Sequence, residues 1–240
     1  MAKSGHTRVI HGYSLQSAVQ DATSLSDSFS TTSCTGTAPS AQIHGACASD
    51  DSYNIFCYGG LSSSRIASSS LYKLAVGTGT CVSSQLTSKT TLSGHAMAYS
   101  GVSVYVFGGS TSGTQSNNNI EISSPTTTFW KYDTSLSSWS TLSATGPTAR
   151  VFHSMVADPT QSDTLWVFGG TTAGDNANAL NDLWMYSGGS WTQNTAIGSP
   201  SKRYGHSSVV YNNNMFLVGG IFPYKFHFSS VFEGENSLSL

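Results

Sequence analysis

In this chain of 240 residues only 9% of side chains are charged, against about 25% in ordinary globular domains. Its 38% apolar and 11% aromatic residues suffice for a core and exclude a disordered polyelectrolyte tail, while Ser and Thr make up about 30% of the chain. Ten Lys plus Arg against twelve Asp plus Glu give a net charge of −2 and no basic cluster for a phosphate backbone, so nucleic acid is excluded as an expected partner.

No run reaches the roughly 18 consecutive apolar residues of a membrane helix, and residues 1–10 lack the apolar stretch of a signal peptide. No membrane association is expected. Cys34, Cys47, Cys57 and Cys81 form no CxxC pair and are too sparse for a disulfide scaffold, so buried free thiols are expected. None of the twelve Asn residues stands in an N-x-[ST] sequon. These features together point to a cytoplasmic protein.

In chain order, residues 1–38 form a Ser/Thr-rich leader without Gly-Gly, whose last part, 27–34, reads as the outer strand of a partial sheet. From residue 39 the sequence repeats. Short β-like runs end in Gly-Gly at Ile55-Phe-Cys-Tyr-Gly-Gly60, Val104-Tyr-Val-Phe-Gly-Gly109, Leu165-Trp-Val-Phe-Gly-Gly170 and Met215-Phe-Leu-Val-Gly-Gly220. A histidine precedes each one: His44, His95, His153 and His206. Each histidine opens another β-like run, and a turn joins the two runs into a hairpin, as at 158–163 or 212–214. A polar loop and an aromatic run follow, Leu71-Tyr-Lys-Leu74, Phe129-Trp-Lys-Tyr-Asp133 and Leu183-Trp-Met-Tyr186, and then Trp139 or Trp191, with Cys81 in the matching place of the first unit. Four strands in about 50 residues with no helical periodicity describe the blade of a β-propeller.

These units resemble kelch repeats. The opening Pro-x-x-Arg-x-x-His-Ser stands in full at Pro147-Thr-Ala-Arg150-Val-Phe-His153-Ser154 and Pro200-Ser-Lys-Arg203-Tyr-Gly-His206-Ser207. A degraded copy one residue shorter, Pro39-Ser-Ala-Gln42-Ile-His44, opens the first unit, and the Asp-Leu-Trp-x-Tyr element is intact at Asp182-Leu-Trp-Met-Tyr186. The resemblance implies an all-β propeller of four-stranded antiparallel blades, with about three full blades (39–92, 93–146, 147–199) and partial blades at 1–38 and 200–240. It also implies a ring larger than this row of blades, which leaves two readings: the chain is part of a longer propeller, or its end strands join into one composite blade and close a four-bladed ring.

The bland reading of the repeated residues is structural: glycines serve crowding between blades, aromatics fill the wedge between sheets, and histidines bond neighbouring blades. One histidine per blade does not make a metal site. No cofactor is expected, and no paired carboxylates mark a hydrolase. The post-glycine loops 61–70, 110–128 and 171–180 occupy one place in the repeat and should emerge on one face, carrying Arg65, Glu121 and Asp175. Arg150 and Arg203 are further candidate anchors for an acidic partner, with structural pairing as the competing role. The expected function is a non-catalytic scaffold that binds a protein partner on the loop face. Two alternatives stand beside it: a copper enzyme resembling galactose oxidase, and a secreted propeller binding carbohydrate or matrix protein, which paired cysteines would distinguish.

Overall fold

The computed structural model describes residues 7–10, 18–22, 30–37, 39, 42–50, 52–62, 64, 66–77, 80–111, 114–116, 119–121, 124–142, 145–175, 177–195, 200–211, 214–221 and 237–239. All regular structure among them is β. Strands β1 (Thr7–Ile10), β2 (Ala18–Ala22) and β3 (Ser30–Ser33) form an antiparallel N-terminal sheet. β4 (Thr35–Gly36) runs parallel to the outer edge of the first blade, whose antiparallel strands are β5 (Ala46–Ser49), β6 (Asn54–Tyr58), β7 (Leu71–Gly77) and β8 (Thr80–Gln85).

The second blade contains β9 (Ala96–Ser100) and β10 (Ser103–Phe107). Its post-glycine loop carries a hairpin, β11 (Thr114–Ser116) with β12 (Asn119–Glu121), and the sheet is completed by β13 (Phe129–Asp133) and β14 (Ser138–Thr141). The third blade holds β15 (Ser154–Ala157), β16 (Leu165–Phe168), β17 (Leu183–Ser187) and β18 (Ser190–Asn194). The fourth pairs β19 (Ser207–Tyr211) with β20 (Asn214–Val218) and adds β21 (Ser237–Ser239) as a third strand.

Packing explains why the second strands of the two middle blades, β10 and β16, are apolar along almost their whole length. A sheet lying between two others is covered on both faces, so alternation gives way to a continuous apolar run. Val104 and Val106 face the first blade and share a cluster with Phe56, Tyr58 and Leu71. Tyr105 and Phe107 point the other way, against Met155, Leu165, Val167 and Trp191 of the third blade. Trp166 and Phe168 repeat the arrangement against Met215 and Leu217 of the fourth. Phe107 is fully buried, and burial of such a side chain contributes about 1.5–3 kcal/mol.

The structure corrects three readings of the sequence. The cysteines are not free thiols: Cys34 is bonded to Cys81 and Cys47 to Cys57. The first bond ties the segment carrying β4 to β8, and the second crosses between directly opposed residues of β5 and β6. Cys81 does not take the tryptophan place. Trp139 pairs with Tyr132 and Trp191 with Tyr186, and the equivalent pair in the first blade is Leu74 with Ser83. The β7–β8 hairpin is longer than its counterparts, which shifts Cys81 two residues beyond that register. His44, finally, is one residue out of step with the other three histidines. Ile43, Ser93, Val151 and Tyr204 make equivalent bridges to the residues after Gly-Gly, so Gly45, and not His44, stands where the later blades carry histidine.

Candidate functional site

At the end of the blades where the post-glycine loops emerge, the inner strands begin from residues with left-handed backbone. These are His44 (φ 57°), Gly94 (φ 65°), Phe152 (φ 57°) and Gly205 (φ 65°). They are linked head to tail: Gly94 N–H donates to His44 O, Phe152 N–H to Gly94 O and Gly205 N–H to Phe152 O, each at 2.8 Å. Non-glycine residues in this region are uncommon. At this collar their side chains have a use: the His44 and Phe152 rings meet edge-on at 5.0 Å between centroids, and Tyr204 lies 6.3 Å from Phe152. Burial lowers the His44 pKa, leaving a neutral ring. Burial raises the Tyr204 phenol, and the negative charge of Asp175 adds to the rise.

The collar is held by a repeated clamp. Each in-register histidine slots into the preceding blade, so that His95 meets Tyr58, His153 meets Phe107 and His206 meets Phe168, all edge-on at 5.4–5.6 Å. Ser154 and His206 Nε2 hydrogen-bond across the third interface at 2.9 Å. The glycine pair makes room for this clamp. A Cβ at Gly108 would lie 2.6 Å from His153 Cε1, and one at Gly109 would lie 2.8 Å from His95 Cβ. Burial drives His95 down to about 3 and His206 to about 4. His153 is lowered by burial first, then by Arg150, His206 and His95.

Arg150 is not a surface anchor: it is fully buried. Its guanidinium grips Asp182 bidentately at 2.7 and 2.8 Å, and also donates to Gly169 O, Thr148 O and Thr148 Oγ1, so all five N–H groups are used. Burial pushes Asp182 upward, but Arg150 and the Trp184 indole N–H hold it below the usual carboxylate range. Arg203 takes the same place in the next blade, is 3% exposed, and donates to Ser201 O and Oγ. Both arginines therefore lie beneath the collar.

Of the loop candidates, Asp175 is exposed and organises its own turn through Asn178 N–H (3.0 Å) and Asn178 Nδ2 (2.9 Å). Glu121 lies on β12, with its side chain outside the described structure, and Arg65 falls outside the described residues. Sequence reasoning missed Phe152 and Tyr204. The signal was available, because both stand between the arginine and the histidine of the opening motif.

At the opposite ends of the inner strands lies an open cavity of about 580 Å3, lined by those strands and the turns that follow them, including Asp50, Tyr99 and Asp158. Both carboxylates are engaged in their turns, Asp50 with Ser52 and Asn54, Asp158 with Thr160 and Gln161. Among the described residues no group of three or more His, Cys, Asp or Glu side chains is arranged to hold a metal ion. No helix among them is long and apolar enough to cross a membrane.

Similarity to known proteins agrees with this geometry. The structure of YjhT superposes with a TM-score of 0.56 at 15% identity, over 75% of this chain and 58% of that one, which is likeness of fold. The chain thus spans little more than half the length of that neighbour. Residues 18–220 match the KLHDC2/KLHL20/DRC7 kelch-repeats domain, and with the glycine pairs, histidine clamps and Arg–Asp pair in place across that span, this chain belongs to the kelch-repeat family.

Proposed function

We propose that this chain is a binding scaffold without chemistry of its own, engaging a protein partner across the face that carries the post-glycine loops. The observation that carries this reading is the aromatic group of His44, Phe152 and Tyr204 on that face, where the charge of Asp175 is felt at Tyr204. Large aromatic rings beside an acidic loop suit a peptide segment bearing an apolar side chain and a cation, since aromatic residues dominate the energetics of protein contacts. Rigid blades hold the loop ends, so the loops supply adaptable polar contacts at fixed positions.

The test is to immobilise the full chain and compare the proteins retained by wild type, Tyr204→Ala with Asp175→Asn, and Leu136→Ser in the turn between β13 and β14. Leu136 is 73% exposed and lies at the opposite end of its blade, so its replacement leaves capture intact. Loss of a discrete partner only in the Tyr204/Asp175 variant supports the reading. Equal retention by all three proteins overturns it.

A second reading concerns the compartment. Two disulfides favour an oxidising environment, because such bonds are rare where glutathione keeps thiols reduced. On this reading the scaffold works outside the cytosol, where its Ser/Thr-rich loops suit a matrix protein or carbohydrate ligand. A thiol titration of the denatured chain purified without reductant tests it, and four reactive thiols would return the protein to the cytoplasm.

A further inference from the structure

On the outer strands of the second blade an ammonium group is held by aromatic rings. Lys89 Nζ lies 5.2 Å from the ring centroid of Trp130 on β13 and 5.8 Å from that of Trp139 on β14. The two indoles meet at 74° with centroids 6.1 Å apart, and Tyr58 of the first blade packs edge-on against both, at 6.2 and 5.4 Å. Rings set steeply to one another around a cation are the arrangement by which proteins recognise methylated ammonium groups. Among the described residues no carboxylate pairs with Lys89 and no acceptor takes its N–H donors. Lys131 shows the ordinary alternative, lying 5.3 Å from the Tyr105 ring centroid and 3.5 Å from both Asp163 carboxylate oxygens.

The ammonium is not what holds this segment in place. The N–H groups of Leu86 and Lys89 donate to Leu71 O and Ser69 O, Trp139 Nε1–H donates to Thr87 O at 3.2 Å, and the Tyr58 hydroxyl donates to Thr90 O. The backbone is thus pinned on both sides of Lys89, while Lys89 and Trp139 stay partly exposed. Nor is the seat a property of the repeat. At the next interface Gly146 lies against Trp191, where a Cβ would strike the indole, and the Trp184 indole N–H donates to Asp182.

We propose that Trp130 and Trp139, backed by Tyr58, form a binding site for a quaternary ammonium group, with Lys89 as a resident occupant that such a ligand displaces. A primary ammonium carries three N–H donors and a tightly held hydration shell, and ring faces compensate poorly for either. A trimethylammonium group keeps the charge without the donors, so the same rings favour it over the lysine that fills them. Lys89 competes from a short tether and so weakens binding in the free protein.

Three probes are titrated into the full chain: choline, its neutral isostere with a tert-butyl group in place of trimethylammonium, and N-acetyl-trimethyllysine amide. The readout is the NMR signal of the indole N–H groups, isotope-labelled at all five tryptophans, with Trp139→Phe identifying the Trp139 signal. Lys89→Gln removes the resident cation, and far-ultraviolet circular dichroism verifies its fold. The expected result is a saturable shift of the Trp139 signal by choline in wild type, binding at least about tenfold tighter in Lys89→Gln, and no shift by the neutral isostere. Trimethyllysine binding alongside choline supports a site for the modified side chain of another protein, and choline binding alone supports a site for a small free ligand. No saturation of Lys89→Gln up to about 100 mM choline, an equal response to the neutral isostere, equal affinity of the two proteins, or a uniform shift of all indole signals overturns the proposal. If Lys89→Gln does not fold, the wild-type comparison of choline with its isostere decides alone. Tyr204 and Asp175 take no part in this seat, so partner capture on the loop face can fail without affecting these titrations.

Discussion

Arg150 shows how a single side chain can be read from comparison within one chain. Its place in the second blade is held by Leu92, and that of its partner Asp182 by Thr128, the residue whose carbonyl accepts from the first glycine. The charged pair thus appears or disappears as a unit between blades. Breaking it on one side leaves a buried carboxylate without its cation, so Arg150→Leu is expected to cost about 3–5 kcal/mol. Adding Asp182→Thr, which reproduces the second blade's apolar solution, recovers at least half of that loss. Urea midpoints of the two variants check this, and a double variant no more stable than the single one would show that the pair is not replaceable as a unit. The glycines permit a similar internal control. Ala at Gly108 combines positive-φ strain (φ 67°) with a clash against His153 and is expected to destabilise by about 2–4 kcal/mol. Ala at Gly219 (φ 70°) meets open space and should cost only the strain, about 1–2 kcal/mol. Equal melting temperatures for the two variants would refute the clamp geometry.

Strands and turns were the most legible level of this molecule. The apolar runs ending at Gly60, Gly109, Gly170 and Gly220 correspond to β6, β10, β16 and β20, and in β10 and β16 coverage on both faces leaves no polar alternation to hide the strand's length. Register was less legible. The Pro39 copy is one residue short, so His44 matched by spacing while the backbone aligns Gly45, and a longer β7 displaced Cys81 from the tryptophan place. Which way a side chain points is not written in spacing at all, and this is why Arg150 stood as a candidate anchor although structural pairing was the favoured role. Cysteine pairing was hidden for a related reason: the partners lie 47 and 10 residues apart and meet only through cross-strand and edge pairing. The two bonds should differ in weight. Loop closure over 47 residues predicts about 4 kcal/mol for Cys34–Cys81, whereas Cys47–Cys57 closes a hairpin already held by β5–β6 pairing and should contribute no more than about 2 kcal/mol. The paired serine variants, Cys34→Ser with Cys81→Ser and Cys47→Ser with Cys57→Ser, should melt in that order under non-reducing conditions, the first lower. The reverse order would mean that the N-terminal segment carrying β4 is not what the longer loop secures.

The whole molecule is held at three blade interfaces by neutral imidazoles, and this makes its stability depend on pH in a defined window. His95, His153 and His206 sit against aromatic rings, and burial lowers each below the ordinary 6.5, with Arg150 adding to the effect at His153 and Arg203 at His206. The unfolded chain takes up protons near pH 6.5, whereas the folded chain resists them until about 4 at His206 and about 3 at His95. Between those values the unfolded state binds more protons, so stability rises with pH: it is complete above 6.5 and falls as the medium is acidified towards 4. Each histidine contributes at most about 1.4 kcal/mol per pH unit within its window. The four lowered carboxylates do not produce this slope. Asp50, Asp133, Asp158 and Asp182 are all lowered from 3.8, and the stability they add is lost only below that value. Urea midpoints measured at pH 7.5, 6, 5 and 4.5 should therefore fall steadily, with no change in net denaturant sensitivity if the blades melt together. Replacing His206 with Asn lowers stability at pH 7.5 but removes one histidine's share of the slope. A wild-type midpoint that stays flat down to pH 4.5 would mean that the interfaces admit protons without opening, and that the clamps act through shape and not through the exclusion of charge.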